Sequence, residues 1–102
     1  MGISSTAEKA IRIFHPLETP ENALDKVVLE WLDLKITRIE ERIMEFERKY
    51  GMEFSEFDKA LREKEKVTAE EEDDWIDWGD YEELLRELKK YRREVLSQLG
   101  RR

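Results

Sequence analysis

Residues 29–50 read LEWLDLKITRIEERIMEFERKY, and within them Leu29, Leu32, Ile36, Ile39, Ile43, Phe46 and Tyr50 recur at alternating steps of three and four. That spacing is a heptad seam, the apolar stripe of a helix that packs along its length against another. Leu24, Val27, Val28 and Trp31 broaden the apolar face near its start. The helix opens at Thr19-Pro20, a preferred N-cap followed by the one helical position where proline's missing N–H is not needed. It ends before Gly51, a residue suited to a left-handed C-cap, with Arg48 and Lys49 placed favourably in its last turn. At 1.5 Å per residue the span 20–50 is about 46 Å long. A compact domain of about 100 residues has a radius of gyration of about 13 Å. So long a helix needs an equally long partner, in a helical hairpin or a dimer.

Downstream, Met52 to Lys66 reads as a short helix centred on residues 55–65. Phe54, Phe57 and Leu61 form its narrow apolar face, and Ser55 to Asp58 resembles a capping box. Thr68-Ala69-Glu70-Glu71 fits the capping box directly, so a third helix is expected over 69–99, stopped by Gly100. Its seam runs Trp78, Tyr81, Leu85, Leu88, Val95 and Leu99, with Arg92 interrupting and Trp75, Leu84 and Tyr91 widening the face. Gly79 costs on the order of 1 kcal/mol inside a helix, and Asp80 after it is placed to restart one, so the sequence leaves open whether the helix kinks there. Residues 1–18 form a weakly specified N-terminal arm ahead of a single helical domain over 19–102. Ile11 and Ile13 alternate about Arg12, the pattern of a short strand or a docking arm, and His15-Pro16 ends it. The fold class expected is all-α: a long helical hairpin or coiled-coil-like bundle, completed by oligomerisation, with a dimer favoured.

The composition narrows the chemistry. Charged residues make up 44% of the 102, cysteine is absent and the net charge is −7. Disulfides, zinc thiolates and thiol catalysis are thereby excluded. Asn22 and Gln98 are the only side-chain amides. Abundant Glu, Lys and Arg with few amides is a hyperthermophile-like balance, and a cytoplasmic protein of a thermophilic prokaryote is expected. No apolar run approaches the roughly 20 residues of a membrane helix, and the start lacks the apolar region of a signal peptide. Residues 1–6 match the myristoylation pattern, which in this composition is read as coincidence.

The charge is unevenly placed. Residues 69–83 carry nine acids and no base, whereas 84–102 carry seven bases and two acids. This layout matches a helix macrodipole at both ends, and it would also favour antiparallel self-pairing of that helix. The acids between Glu70 and Asp80 lie on one helical run that sprays them around its axis, which suits a solvated helix start or a surface meeting a basic partner better than a metal site. The only histidine, His15, lacks companions for metal or nucleophilic chemistry, and no nucleophile elbow or phosphate loop is present. The basic tail from Lys89 to Arg102 has one interleaved aromatic, Tyr91, and the chain is acidic overall, so nucleic acid is not the expected partner. A ribbon-helix-helix reading fails because the strand-like run precedes one very long helix. No cofactor and no enzymatic activity is expected.

Residues 46–57 (FERKYGMEFSEF), 72–78 (EDDWIDW) and 84–88 (LLREL) together resemble small helical proteins of archaea and cyanobacteria that often stand as antitoxins beside a small toxin gene. The likeness covers roughly residues 35–95, with Gly79 departing from the pattern. It implies a non-catalytic protein that neutralises a partner enzyme, a basic toxin. On that reading Trp75, Trp78 and Tyr81 anchor the partner, and Asp73, Asp74 and Asp77 steer it, by docking of an acidic helix into a groove. The alternative is a self-assembling structural or adaptor protein in which the same aromatics are buried.

Overall fold

The computed structural model describes residues 4–14 and 18–101. Among the described residues four helices follow one another, α1 (Ser5–Phe14), α2 (Pro20–Tyr50), α3 (Phe54–Glu63) and α4 (Ala69–Arg101), and there is no strand. The protein is an all-α helical hairpin. α2 and α4 run antiparallel along its length, and α3 folds against them at the closed end. The molecule is elongated, 60 × 26 × 25 Å with a radius of gyration of 19.2 Å.

The local signals that set α2 act as expected. Thr19 Oγ1 accepts from the Asn22 N–H at 3.3 Å. Gly51 takes φ 66° and its N–H donates to the Glu47 carbonyl at 2.7 Å, closing the helix with a left-handed residue. α4 opens on a reciprocal capping box: Thr68 Oγ1 accepts from the Glu71 N–H, and the Glu71 carboxylate accepts from the Thr68 N–H, both at 3.1 Å.

The structure decides two readings that the sequence left open and corrects two others. The strand-like run at 10–14 lies in helix α1, which contacts α2. Ser4 caps it by accepting from the Ala7 N–H at 3.1 Å, and Arg12 pairs with Glu8 one turn back. Ala7 and Ile11, four apart, are half-buried while Ile13 is 77% exposed; helical spacing, not alternation, governs the segment. Second, Ser55 does not cap α3. The helix begins at Phe54 behind Glu53, because Gly51 turns the chain early enough for Phe54 itself to pack on Trp78. Third, α4 runs unbroken through Gly79. Phe54 explains the glycine: a Cβ there would stand 3.2 Å from its Cζ, so the missing side chain lets α3 approach α4. Fourth, Gly100 does not stop α4, which continues to Arg101. The expected role of His15-Pro16 and the myristoylation match at Gly2 fall outside the described residues.

The core has two parts. At the closed end Ile43, Phe57, Leu61 and Trp78 are buried together, flanked by Phe46, Tyr50 and Phe54. Further along, Leu32 and Ile36 of α2 meet Leu88 of α4. The α2 and α4 seams therefore fill each other within one chain. Arg92, which interrupts the apolar seam, donates to Asp33 Oδ1 at 2.6 Å and fixes the register.

Candidate protein-binding surface

The structure separates the six residues expected to meet a partner. Trp78 is 0% exposed. Phe46 stacks on it at 5.5 Å between centroids, Phe54 meets it edge-on at 5.4 Å, and Phe57 lies at 5.1 Å. It lies at the centre of the chain's own aromatic core. Its Nε1 is buried without a hydrogen-bond partner among the described residues.

Trp75 and Tyr81 are half-buried. Trp75 Nε1 donates to Asp58 of α3 at 2.9 Å, and the Arg62 guanidinium lies 5.5 Å above its ring while also donating to Asp58. This arrangement stitches α3 to α4. The hydrogen bonds from Arg62 and Trp75 hold the Asp58 carboxyl below the usual carboxylate range. Tyr81 packs against the closed-end core, 6.2 Å from the Phe46 ring.

The acids divide in the same way. Asp74 Oδ2 accepts from Lys49 Nζ at 2.6 Å and from the Tyr50 hydroxyl, so it joins the two ends of the hairpin turn. Burial alone would raise its pKa, but these two donors outweigh burial and lower it. Burial and then Asp74 push the Tyr50 hydroxyl up to about 12. Asp73 and Asp77 are exposed. Among the described residues no group of three acids or histidines converges as a metal site, and no helix is long and apolar enough to cross a membrane.

A different surface emerges from the helix geometry. Residues seven apart lie in one row along a helix of this kind. Lys49 bonds Glu70 at 2.6 Å, so the α2 row of Val28, Lys35, Arg42 and Lys49 adjoins the α4 row of Glu70, Asp77, Leu84 and Tyr91. On the opposite flank Trp75 is tied to α3. Thus α3 covers one side of the seam at the closed end and leaves the first flank uncovered there. Trp31 (53% exposed), Tyr91 (51%) and Leu84 (40%) stand on or beside it. Lys35 Nζ lies 5.8 Å over the Trp31 ring, which places those two rows side by side.

Sequence reading missed this surface as a unit. Its one available signal was two apolar pairs seven apart, Leu24 and Trp31 on α2 and Leu84 and Tyr91 on α4. All four are exposed. Compared with protein-family models, curated proteins and solved structures, the chain matches none of them.

Proposed function

We propose that this protein works by binding another protein chain, without catalysis, through the open flank of its hairpin. The observation that carries the reading is the exposure of Trp31, Tyr91 and Leu84 beside a seam that α3 covers on its other side only. Aromatic residues dominate binding energy at protein interfaces, and the Asp33–Arg92 bond sets Trp31 and Tyr91 at a similar height on the hairpin. In this role the chain is an adaptor or structural protein, and the elongated hairpin is a rigid rail for its partner.

A partner-neutralising, antitoxin-like role is a second reading. It draws support from the row Asp73, Asp80, Glu87 and Glu94, all exposed along α4, which would face a basic enzyme. Neither reading draws on Trp78, which is buried in the chain's own core.

The test is native purification from cells that make the protein, in parallel with Trp31→Glu/Tyr91→Glu. The native chain should carry a stoichiometric partner, either a second copy or another protein. The variant should lose it with helical circular dichroism unchanged. A bare monomer, or a variant that keeps its partner, would refute the reading.

A further inference from the structure

The geometry points to a second copy of this chain as the occupant of the open flank, packed about a two-fold axis parallel to the hairpin so that α2 of each copy lies over α4 of the other. This inference rests on the reading of that flank as a protein-binding surface.

Charge complementarity along the flank carries the argument. On its α2 side Lys35, Arg38 and Arg42 follow the apolar end, and Glu45 beyond them pairs with Arg42 at 3.4 Å, so the stripe keeps a net positive charge. On its α4 side the exposed row is acidic: Asp73, Asp80, Glu87 and Glu94, beside Asp77. The intrachain register sets the heights. Phe46 stacks on Trp78 and Asp33 bonds Arg92, so interpolation puts Arg42 near Asp80, Arg38 near Glu87, and Trp31 near the turn holding Tyr91 and Glu94. Only one two-fold arrangement uses this match. An axis parallel to the hairpin lays each basic α2 stripe on the acidic α4 stripe of the second copy at the same height, and it brings Trp31 of one copy to Tyr91 of the other. An axis across the hairpin would lay basic α2 on basic α2 and acidic α4 on acidic α4, which like-charge repulsion disfavours.

The area is sufficient. Stable interfaces bury about 800 Å² per partner. A strip about 13 Å wide along the 60 Å molecule supplies that. The result is a four-helix layer in which the seam is covered by α3 on one side and by the second copy on the other.

The test uses the full chain, purified alone, with mass measured by light scattering and sedimentation. The expected mass is twice 12.4 kDa. Two charge-reversed variants follow, Arg38→Glu/Arg42→Glu and Asp80→Arg/Glu87→Arg. Each alone should dimerise more weakly, by about 30-fold or more, because four surface pairs turn from attractive to repulsive. Mixed in equal amounts, the two should form a heterodimer with the affinity restored, since each then offers its partner the opposite charge on both stripes. Helical circular dichroism identifies any variant that fails to fold, and Arg38→Gln/Arg42→Gln, with its smaller expected weakening, replaces such a variant. A dimer whose affinity ignores both reversals, or one that the mixture does not restore, overturns the arrangement while leaving the flank as a binding surface. A monomer that instead holds a different protein through Trp31 and Tyr91 overturns the second-copy assignment alone. A monomer with no partner overturns both this inference and the reading beneath it.

Discussion

Lys49 and Asp74 meet at 2.6 Å across the closed end of the hairpin, joining the last turn of α2 to the second turn of α4. Their pKa values move apart: the hydrogen bonds that Lys49 donates to Asp74 and Glu70 raise its ammonium, while donors from Lys49 and Tyr50 bring Asp74 down against the pull of burial. A carboxylate with a lowered folded pKa contributes stability above its unfolded value of about 3.9, and that contribution is lost as pH falls through the folded pKa. An amine or phenol with a raised folded pKa contributes stability below its unfolded value of about 10, lost as pH rises through the folded one. The closed end should therefore hold a stability plateau between about pH 4 and 10. Asp74→Asn should lower the melting temperature on that plateau and flatten its acid edge. It should also bring the Tyr50 titration, near 12 in the native protein, partway down, as followed by phenolate absorbance. An unchanged acid edge would show that Asp74 does not set it.

Trp78 should behave as a core residue. Trp78→Ala should cost about 3–5 kcal/mol, the range for removing a buried large aromatic. Trp78→Phe should cost less, because it keeps most of the stacking on Phe46 and removes the unpaired indole N–H, whose burial costs about 1–3 kcal/mol. Urea denaturation of the two variants measures the difference; equal losses would contradict the aromatic-core account.

Two glycines on one helix should respond in opposite ways. Gly79→Leu must displace the Phe54 ring, already 3.2 Å from where a Cβ would stand, and should destabilise by about 1–3 kcal/mol through overpacking. Gly100 has open space around it, so Gly100→Ala should stabilise by a few tenths of a kcal/mol, a part of the full helix preference because the position is near the end. Thermal melts of both variants are sufficient to test the pair.

The three tryptophans range from buried to exposed, from Trp78 at 0% to Trp31 at 53%. In single-tryptophan variants, Trp78 emission should be blue and resist acrylamide quenching. Trp31 emission should be red and quenchable in dilute solution, then shift blue as concentration rises and the flank is covered. A Trp31 spectrum that ignores concentration would argue against self-association through this flank.

The parts legible in the sequence are those fixed by local chemistry. The α2 seam, its Thr19 and Gly51 caps and the Thr68–Glu71 box each depend on residues a few positions apart, and each reads directly. Tertiary choices did not. The spacing of Trp75, Trp78 and Tyr81 says that they share a face, but not that Phe46, Phe54 and Phe57 close over the middle one. Gly79 left a kink open because the ring that requires it, Phe54, lies 25 residues earlier. The segment at 10–14 looked extended because a three-residue alternation fits a strand and a helix equally well, and Ser4 and Glu8 decide between them. The open flank could not be assigned without knowing which side α3 would take, and the Trp75–Asp58 bond fixes that.

The placement of the larger aromatic core at the closed end gives the molecule a direction of assembly. The turns that bring α2, α3 and α4 together there are only a few residues long, so their closure costs little chain entropy. The Asp33–Arg92 pair, by contrast, joins residues 59 apart. The hairpin should thus zip from Trp78 outward, and its amide hydrogens should exchange in the reverse order, fastest near Val27 and Leu96 and slowest near Ile43. Trp31 and Tyr91 lie toward the end that zips last, so a chain docking on them would also latch the zipper shut.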